Sequence, residues 1–206
     1  MFRRFSNKIR TVAMNPEYWK FLRELFEGSS ECSDCWCMNH RSDPKTCPTG
    51  SDAKAALQKA LGDGSAKGVL AFAGEKPVGW CAVDSSTGMI GHDFTAEGSA
   101  REGQWMIHCL FVAATHRGQG VSGALIKAAI RLAREHGARE LLAFPIPEEN
   151  KKKFPPEAGE FSGRMSTYEK FGFRAGEKLS DFYQVMRLSL DKTSRLELES
   201  VSWSNL

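Results

Sequence analysis

"LFVAATHRGQGVSGALIKAA", residues 110–129, runs from an apolar stretch through Arg117, Gly118, Gln119 and Gly120 into a segment of helical periodicity. Val121, Ala124, Leu125, Ala128, Ala129, Leu132 and Ala133 fall on one helical face, and Gly137 closes the helix. Upstream, "GQWMIHCLFVAA" is almost continuously apolar from Trp105 to Val112, the mark of a strand central in its sheet. A buried strand that turns on glycines into a helix offers the free N–H groups of the helix N-terminus to an anion. Glycine permits close backbone approach, and Arg117 adds a cation, so phosphate or pyrophosphate is the guest this chemistry suits. A tight turn with no ligand is the competing reading. Two nucleotide motifs are excluded: no Lys-Ser or Lys-Thr follows the second glycine, and there is no three-glycine dinucleotide fingerprint.

Outward from this stretch the elements alternate. "NPEYWKFLRELF" predicts a first helix, with Pro16 in its first turn and Trp19, Leu22 and Phe26 on one face. A Ser-, Cys- and Pro-rich loop over 28–50 leads to a second helix in "DAKAALQKALGDG". "GVLAFAGEKPVGWCAVD" reads as a hairpin turning at Gly74–Pro77, "RELLAFPI" as a strand, and "DFYQVMRLSL" as the last strand. Between these two, 147–161 is a polar, proline-rich loop, and a helix is expected from Ser162 to Gly172. The expectation is one domain over 1–190 that includes the cysteine-rich loop, then a tail over 191–206.

With 206 residues, 41% hydrophobic and 26% charged, the chain has the composition of a soluble globular protein, and no apolar run approaches the roughly 20 residues of a membrane helix. A net charge of +3, with Lys151–Lys153 as the only tight basic run, argues against nucleic acid as a partner. The opening "MFRRFSNKIRTVAM" lacks the apolar core of a secretory signal, so the cytoplasm is expected and the six cysteines are read as reduced thiols.

The quoted stretch resembles the acetyl-CoA signature of the GNAT superfamily of N-acetyltransferases: a strand, then Arg/Gln-x-x-Gly-x-Gly/Ala, then a helix. Ser122 stands at the final small position. "TYEKFGF", Thr167 to Phe173, is similar to the family's C-terminal Tyr-Glu-Lys-x-Gly-Phe element, and the order of elements agrees over roughly 15–190. "CWCM" with Arg41, "PVGWCAV" and "CLFV" further resemble one bacterial branch of the superfamily.

The resemblance implies an α/β (α+β) fold with a mixed, mostly antiparallel central sheet flanked by helices and splayed at its centre. It implies acetyl-CoA as co-substrate, with pantetheine bonded to the backbone of Leu110, Phe111 and Val112. Arg117, Gly118, Gln119, Gly120, Val121, Ser122 and Gly123 would cradle the pyrophosphate. Tyr168 matches the family's general acid, and a phenol with a pKa of about 10 is protonated at neutral pH. Many relatives carry asparagine seven residues before that tyrosine; here the position is Phe161, and that CoA contact is lost.

The expected reaction moves an acetyl group from acetyl-CoA to a primary amine by direct attack. His108, on the central strand, has a side-chain type suited to taking the amine's proton, with Glu102 and Asp93 as alternatives. Cys109 is set aside as an acetylated intermediate because an apolar site disfavours its thiolate. Trp36, Met38 and Arg41 are expected to line or close the site of a small-molecule or peptide amine. Cys32, Cys35, Cys37, His40 and Cys47 pose a rival reading, a zinc-supported or non-catalytic acyl-CoA-binding module, but Cys35 and Cys37 are too close for two spaced ligand pairs. No metal is expected, and homodimerisation is left open.

Overall fold

Strand β4, Gln104–Val112, is the axis of the fold. In the computed structural model, residues 8–32, 34–43, 45–89, 101–153, 161–180 and 183–191 are described. Asp93, residues 1–7, residues 154–160 of the polar loop and the tail beyond Asp191 lie outside them. Among the described residues seven strands form one sheet in the order β1-β2-β3-β4-β5-β7-β6, which places β4 in the middle. They are β1 (Ile9–Ala13), β2 (Gly68–Ala73), β3 (Lys76–Ser85), β4, β5 (Glu140–Ala143), β6 (Arg174–Lys178) and β7 (Gln184–Ser189). Only β4 and β5 pair in parallel; the other pairings are antiparallel. The mixed, mostly antiparallel sheet implied by the resemblance is what the chain forms.

Two strands escape the sequence pattern. β1 is a half-buried edge strand, and Arg10, polar in a pattern reading, lays its guanidinium 4.4 Å over the Phe72 ring of β2. β6, "RAGEK", is almost wholly exposed and carries weak strand formers. It is held by tertiary contacts: the Gln184 side-chain amide donates to the Gly176 and Glu177 carbonyls, and Arg187 pairs with Glu177.

The helices match the expected periodicity. Asn15 caps the turn Pro16–Tyr18, which leads into α1 (Trp19–Glu27); α2 spans Gly50–Gly62 and α3 Val121–Glu135. Helix α3 covers one face of the sheet through Val121, Leu125 and Ala129 against Val69, Ala71 and Val83. The cysteine-rich segment, α1 and α2 cover the other through Leu22, Phe26, Trp36 and Leu57 against Leu70, Trp80 and Phe111. Gly79 lets β3 approach α3, since a Cβ there would lie 2.9 Å from both Val121 and Leu125. The expected helix from Ser162 shortens to α4, Met165–Glu169: residues 161–162 form a turn whose Phe161 carbonyl accepts from the Leu110 N–H of β4, and Gly163 follows with a left-handed φ of 76°.

The sheet splays where it must to form a site. β5 pairs with β4 only from Gln104 to Ile107, and beyond Ala143 the run Phe144-Pro145-Ile146-Pro147 has a proline, which cannot donate, at every second position. On the other side of β4 the register with β3 steps from Ala82↔Cys109 to Val83↔Ile107, leaving His108 as the extra residue of a β-bulge. Among the described residues no helix is long and apolar enough to cross a membrane.

Candidate active site

Beyond Val112 the chain makes one turn, Ala114–His116, and reaches the glycine loop. Gly118 and Gly120 adopt φ of 74° and 81°, left-handed values that cost little only for glycine. A Cβ on either would meet nothing within 4 Å, so backbone conformation and not crowding selects glycine, and the space above the loop is open. No side chain caps α3, so helix geometry leaves the N–H groups of Val121, Ser122 and Gly123 without intrahelical acceptors. Arg117 is less free than its sequence suggests. Its Nη2 donates to Glu31 at 2.5 Å and its Nε to the Val112 carbonyl at 3.1 Å, tying the loop to the cysteine-rich segment. Gln119 donates to the Thr115 carbonyl at 3.0 Å and braces the turn.

Along the splayed edge, the Leu110 N–H donates to the Phe161 carbonyl at 2.5 Å. Alternation turns Val112 to the same side, whereas Ala113 bonds back to Val78 of β3 and Phe111, between them, buries its ring against Phe26 and Phe161. Tyr168 on α4 is fully buried, with its ring 5.2 Å from that of Phe173, and its hydroxyl donates to the Ser162 carbonyl at 3.0 Å. Burial pushes this phenol well above its ordinary range, so it remains a proton donor. Residues 161–163 thus form a strap that occupies both a β4 donor and the Tyr168 hydroxyl.

The bulge turns His108 and Cys109 to the face covered by the cysteine-rich segment. There His108 Nε2 stands 3.1 Å from Asp84 Oδ2, and the side chain has no solvent exposure. Asp84 also receives Arg41 on Oδ2 and the Lys67 N–H on Oδ1, the latter at 2.6 Å. His40 packs edge-on to His108 with ring centroids 5.6 Å apart. Burial lowers the His108 pKa below its ordinary value against the opposing pull of Asp84, which leaves the ring neutral near pH 7. Because a carboxylate only accepts, Nε2 carries the hydrogen and Nδ1 the lone pair; Nδ1 is buried without a hydrogen-bond partner.

Sequence reasoning overlooked Asp84. The available signal was a carboxylate ending the apolar run "GWCAVD" on a strand adjacent to His108. Glu102 is exposed in the turn before β4, at the far end from the bulge. Trp36 and Met38 are core residues: Trp36 packs on Trp19 and Phe26 at 5.9 and 5.2 Å, and both anchor the segment from beneath. Of the three residues expected at the acceptor site, only Arg41 reaches the polar cluster.

Trp36 and Cys37 hold left-handed φ values of 41° and 56°, a strained step that aims Cys37 at Cys109. Burial raises the Cys35 thiol to about 11 and pushes Cys32 and Cys81 higher, while Cys109 is raised by its hydrogen bond to Cys37 and by burial. Among the described residues no group of three or more His, Cys, Asp or Glu is placed to hold a metal.

Residues 33–173, well over half of the chain, match the Acetyltransferase (GNAT) family. Solved structures share the architecture at low identity. The GNAT domain of S. lividans PAT is 17% identical with a TM-score of 0.57, over 88% of this chain and 90% of that one. The yncA protein of Salmonella typhimurium, solved with its cofactor acetyl-CoA, is 13% identical with a TM-score of 0.52, over 89% and 95%. A ribosomal-protein-alanine N-acetyltransferase from Brucella melitensis is 14% identical with a TM-score of 0.51, over 88% and 99%. No curated protein sequence matches this one. On the family match over more than half of its length, the chain belongs to the GNAT family of acetyltransferases.

Proposed function

We propose that the protein is an N-acetyltransferase that moves the acetyl group of acetyl-CoA to a primary amine, of a small molecule or peptide, by direct attack. The observation that carries this reading is the series of groups along β4: an open glycine turn and bare helix N-terminus past one end, a backbone edge beside a buried tyrosine, and a neutral histidine at the bulge. Gly118, Gly120 and the N–H groups of Val121, Ser122 and Gly123 suit a pyrophosphate. Arg117 and Gln119 hold the loop in shape. Pantetheine entering the splay takes the Leu110 N–H from Phe161 and reaches Val112, with Phe111 lining from beneath. Displacing the strap frees the Tyr168 hydroxyl from Ser162.

In the reaction, the neutral amine attacks the thioester carbonyl and its nitrogen gives up a proton to His108 Nδ1, which is buried in the ligand-free chain and has to be uncovered as the acceptor binds. The oxyanion is stabilised by a strand N–H. When the C–S bond breaks, the thiolate takes the Tyr168 proton. An acetylated Cys109 plays no part, since its thiol is buried and resists ionisation.

Calorimetric titration of acetyl-CoA tests the reading, with Gly120→Glu as control because its carboxylate would repel the pyrophosphate. Micromolar binding lost in the variant is expected. In an amine screen that follows, Tyr168→Phe is expected to lower kcat by about 100-fold or more. A folded wild-type protein that does not bind acetyl-CoA would overturn the assignment. Binding with no Tyr168-dependent turnover of any amine would instead support a non-catalytic acyl-CoA-binding module.

A further inference from the structure

We propose that Asp84 is the positioning residue that fixes His108 in the neutral tautomer able to take the acceptor's proton, and that Arg41 of the cysteine-rich segment completes the relay by holding the Asp84 carboxylate. The inference rests on the acetyltransferase reading and adds a residue and a coupling to it.

The geometry begins with the bulge. Without it, strand alternation would turn Cys109 to the face opposite His108; with it, both face the cysteine-rich segment, and His108 stands beside Asp84 of β3. Asp84 is 3% exposed, a costly place for a charge unless it is fully paired, and its oxygens have defined partners. Oδ1 takes the Lys67 N–H at 2.6 Å, while Oδ2 takes Arg41 and His108 Nε2. Arg41 is fixed in turn by its Nη1 bond to the Ser65 carbonyl at 3.0 Å.

A carboxylate so placed forces the hydrogen onto Nε2 and leaves Nδ1 as a lone pair. Among the described residues Nδ1 has no hydrogen-bond partner, so its lone pair is not committed to another group of the chain. The charged or titratable groups facing the ring are Asp84 from β3 and Arg41 and His40 from the cysteine-rich segment. Arg41 therefore links the cysteine-rich segment to the group that receives the proton.

The test is Asp84→Asn in the full chain. The amide offers one acceptor oxygen to three donors, the Lys67 N–H, Arg41 and His108 Nε2, and no charge, so the hold that keeps the ring hydrogen on Nε2 is lost. Nitrogen-15 NMR of the His108 ring is expected to show hydrogen on Nε2 alone in the wild type and a mixture of the two tautomers in the variant. For an amine identified in the screen, kcat/KM is expected to fall by about 100- to 10,000-fold, with acetyl-CoA affinity within about twofold of wild type.

The two partners leave opposite signatures on the acid limb of kcat/KM. Asp84 raises the His108 pKa and Arg41 lowers it, so Asp84→Asn moves the limb to lower pH and Arg41→Gln to higher pH. Where Asp84→Asn fails to fold, the wild-type tautomer and the Arg41→Gln profile decide. Hydrogen on Nδ1 in the wild type, or a folded Asp84→Asn protein with unchanged turnover, overturns the proposal while acetyl-CoA binding still upholds the acetyltransferase reading. A wild type that does not bind acetyl-CoA overturns both.

Discussion

His108 and Tyr168 are driven in opposite directions from their usual roles by the same burial. Desolvation keeps the phenol protonated and the imidazole neutral, so one is a standing donor and the other a standing acceptor near pH 7. For stability the sign follows from His108: its folded pKa lies below the unfolded value near 6.5, so the unfolded chain binds an extra proton first. Stability from this site is complete above about pH 6.5 and is lost as pH falls toward the folded pKa. Urea midpoints measured between pH 7.5 and 5 are expected to fall more steeply for the wild type than for His108→Gln; parallel lines would show that His108 is not buried neutral. Residue type pointed to His108, and the resemblance of "TYEKFGF" to the family's C-terminal element pointed to Tyr168. The partner that orients His108 was not visible, because Asp84 and His108 are 24 positions apart and meet only through the β3–β4 register.

At the scale of elements, the strap 161–163 is the feature that most alters the reading of the site. It bonds Leu110, covers the Tyr168 hydroxyl and packs Phe161 on Phe111 with ring centroids 5.6 Å apart. If acetyl-CoA displaces it, weakening it strengthens binding. Phe161→Ala removes an aromatic pair worth about 0.5–1.5 kcal/mol beyond its buried area, so calorimetry is expected to give a Kd lower by about two- to tenfold. An equal or higher Kd would show that strap and cofactor do not compete. Helical periodicity over Ser162–Gly172 concealed this segment, since Gly163 with its positive φ separates a turn at 161–162 from a helix that begins only at Met165.

For the whole molecule, the sheet brings together segments distant in sequence: the cysteine-rich segment, the β3–β4 bulge, the α3 N-terminus and α4. A ligand spanning the last two must stabilise the folded state. Acetyl-CoA at about 100 times its Kd is expected to add about 2.7 kcal/mol. For a chain of this size that raises Tm by about 5–11 °C. The shift should vanish in Gly120→Glu, and an equal shift in both proteins would place the ligand elsewhere. The sequence by itself determined the central strand, the glycine turn and α3, because each is written in local periodicity or in glycine's own conformational freedom, and it marked the tyrosine element by its resemblance to a family motif. It also determined the family, through two motifs at the right separation. Tertiary structure alone decided the edge strands β1 and β6, whose pairing outweighs weak propensity, and the strap, which a single left-handed glycine releases from the helix. It alone decided the Arg41–Asp84–His108 cluster, because a one-residue bulge in register, which no local pattern records, sets which side chains share a face.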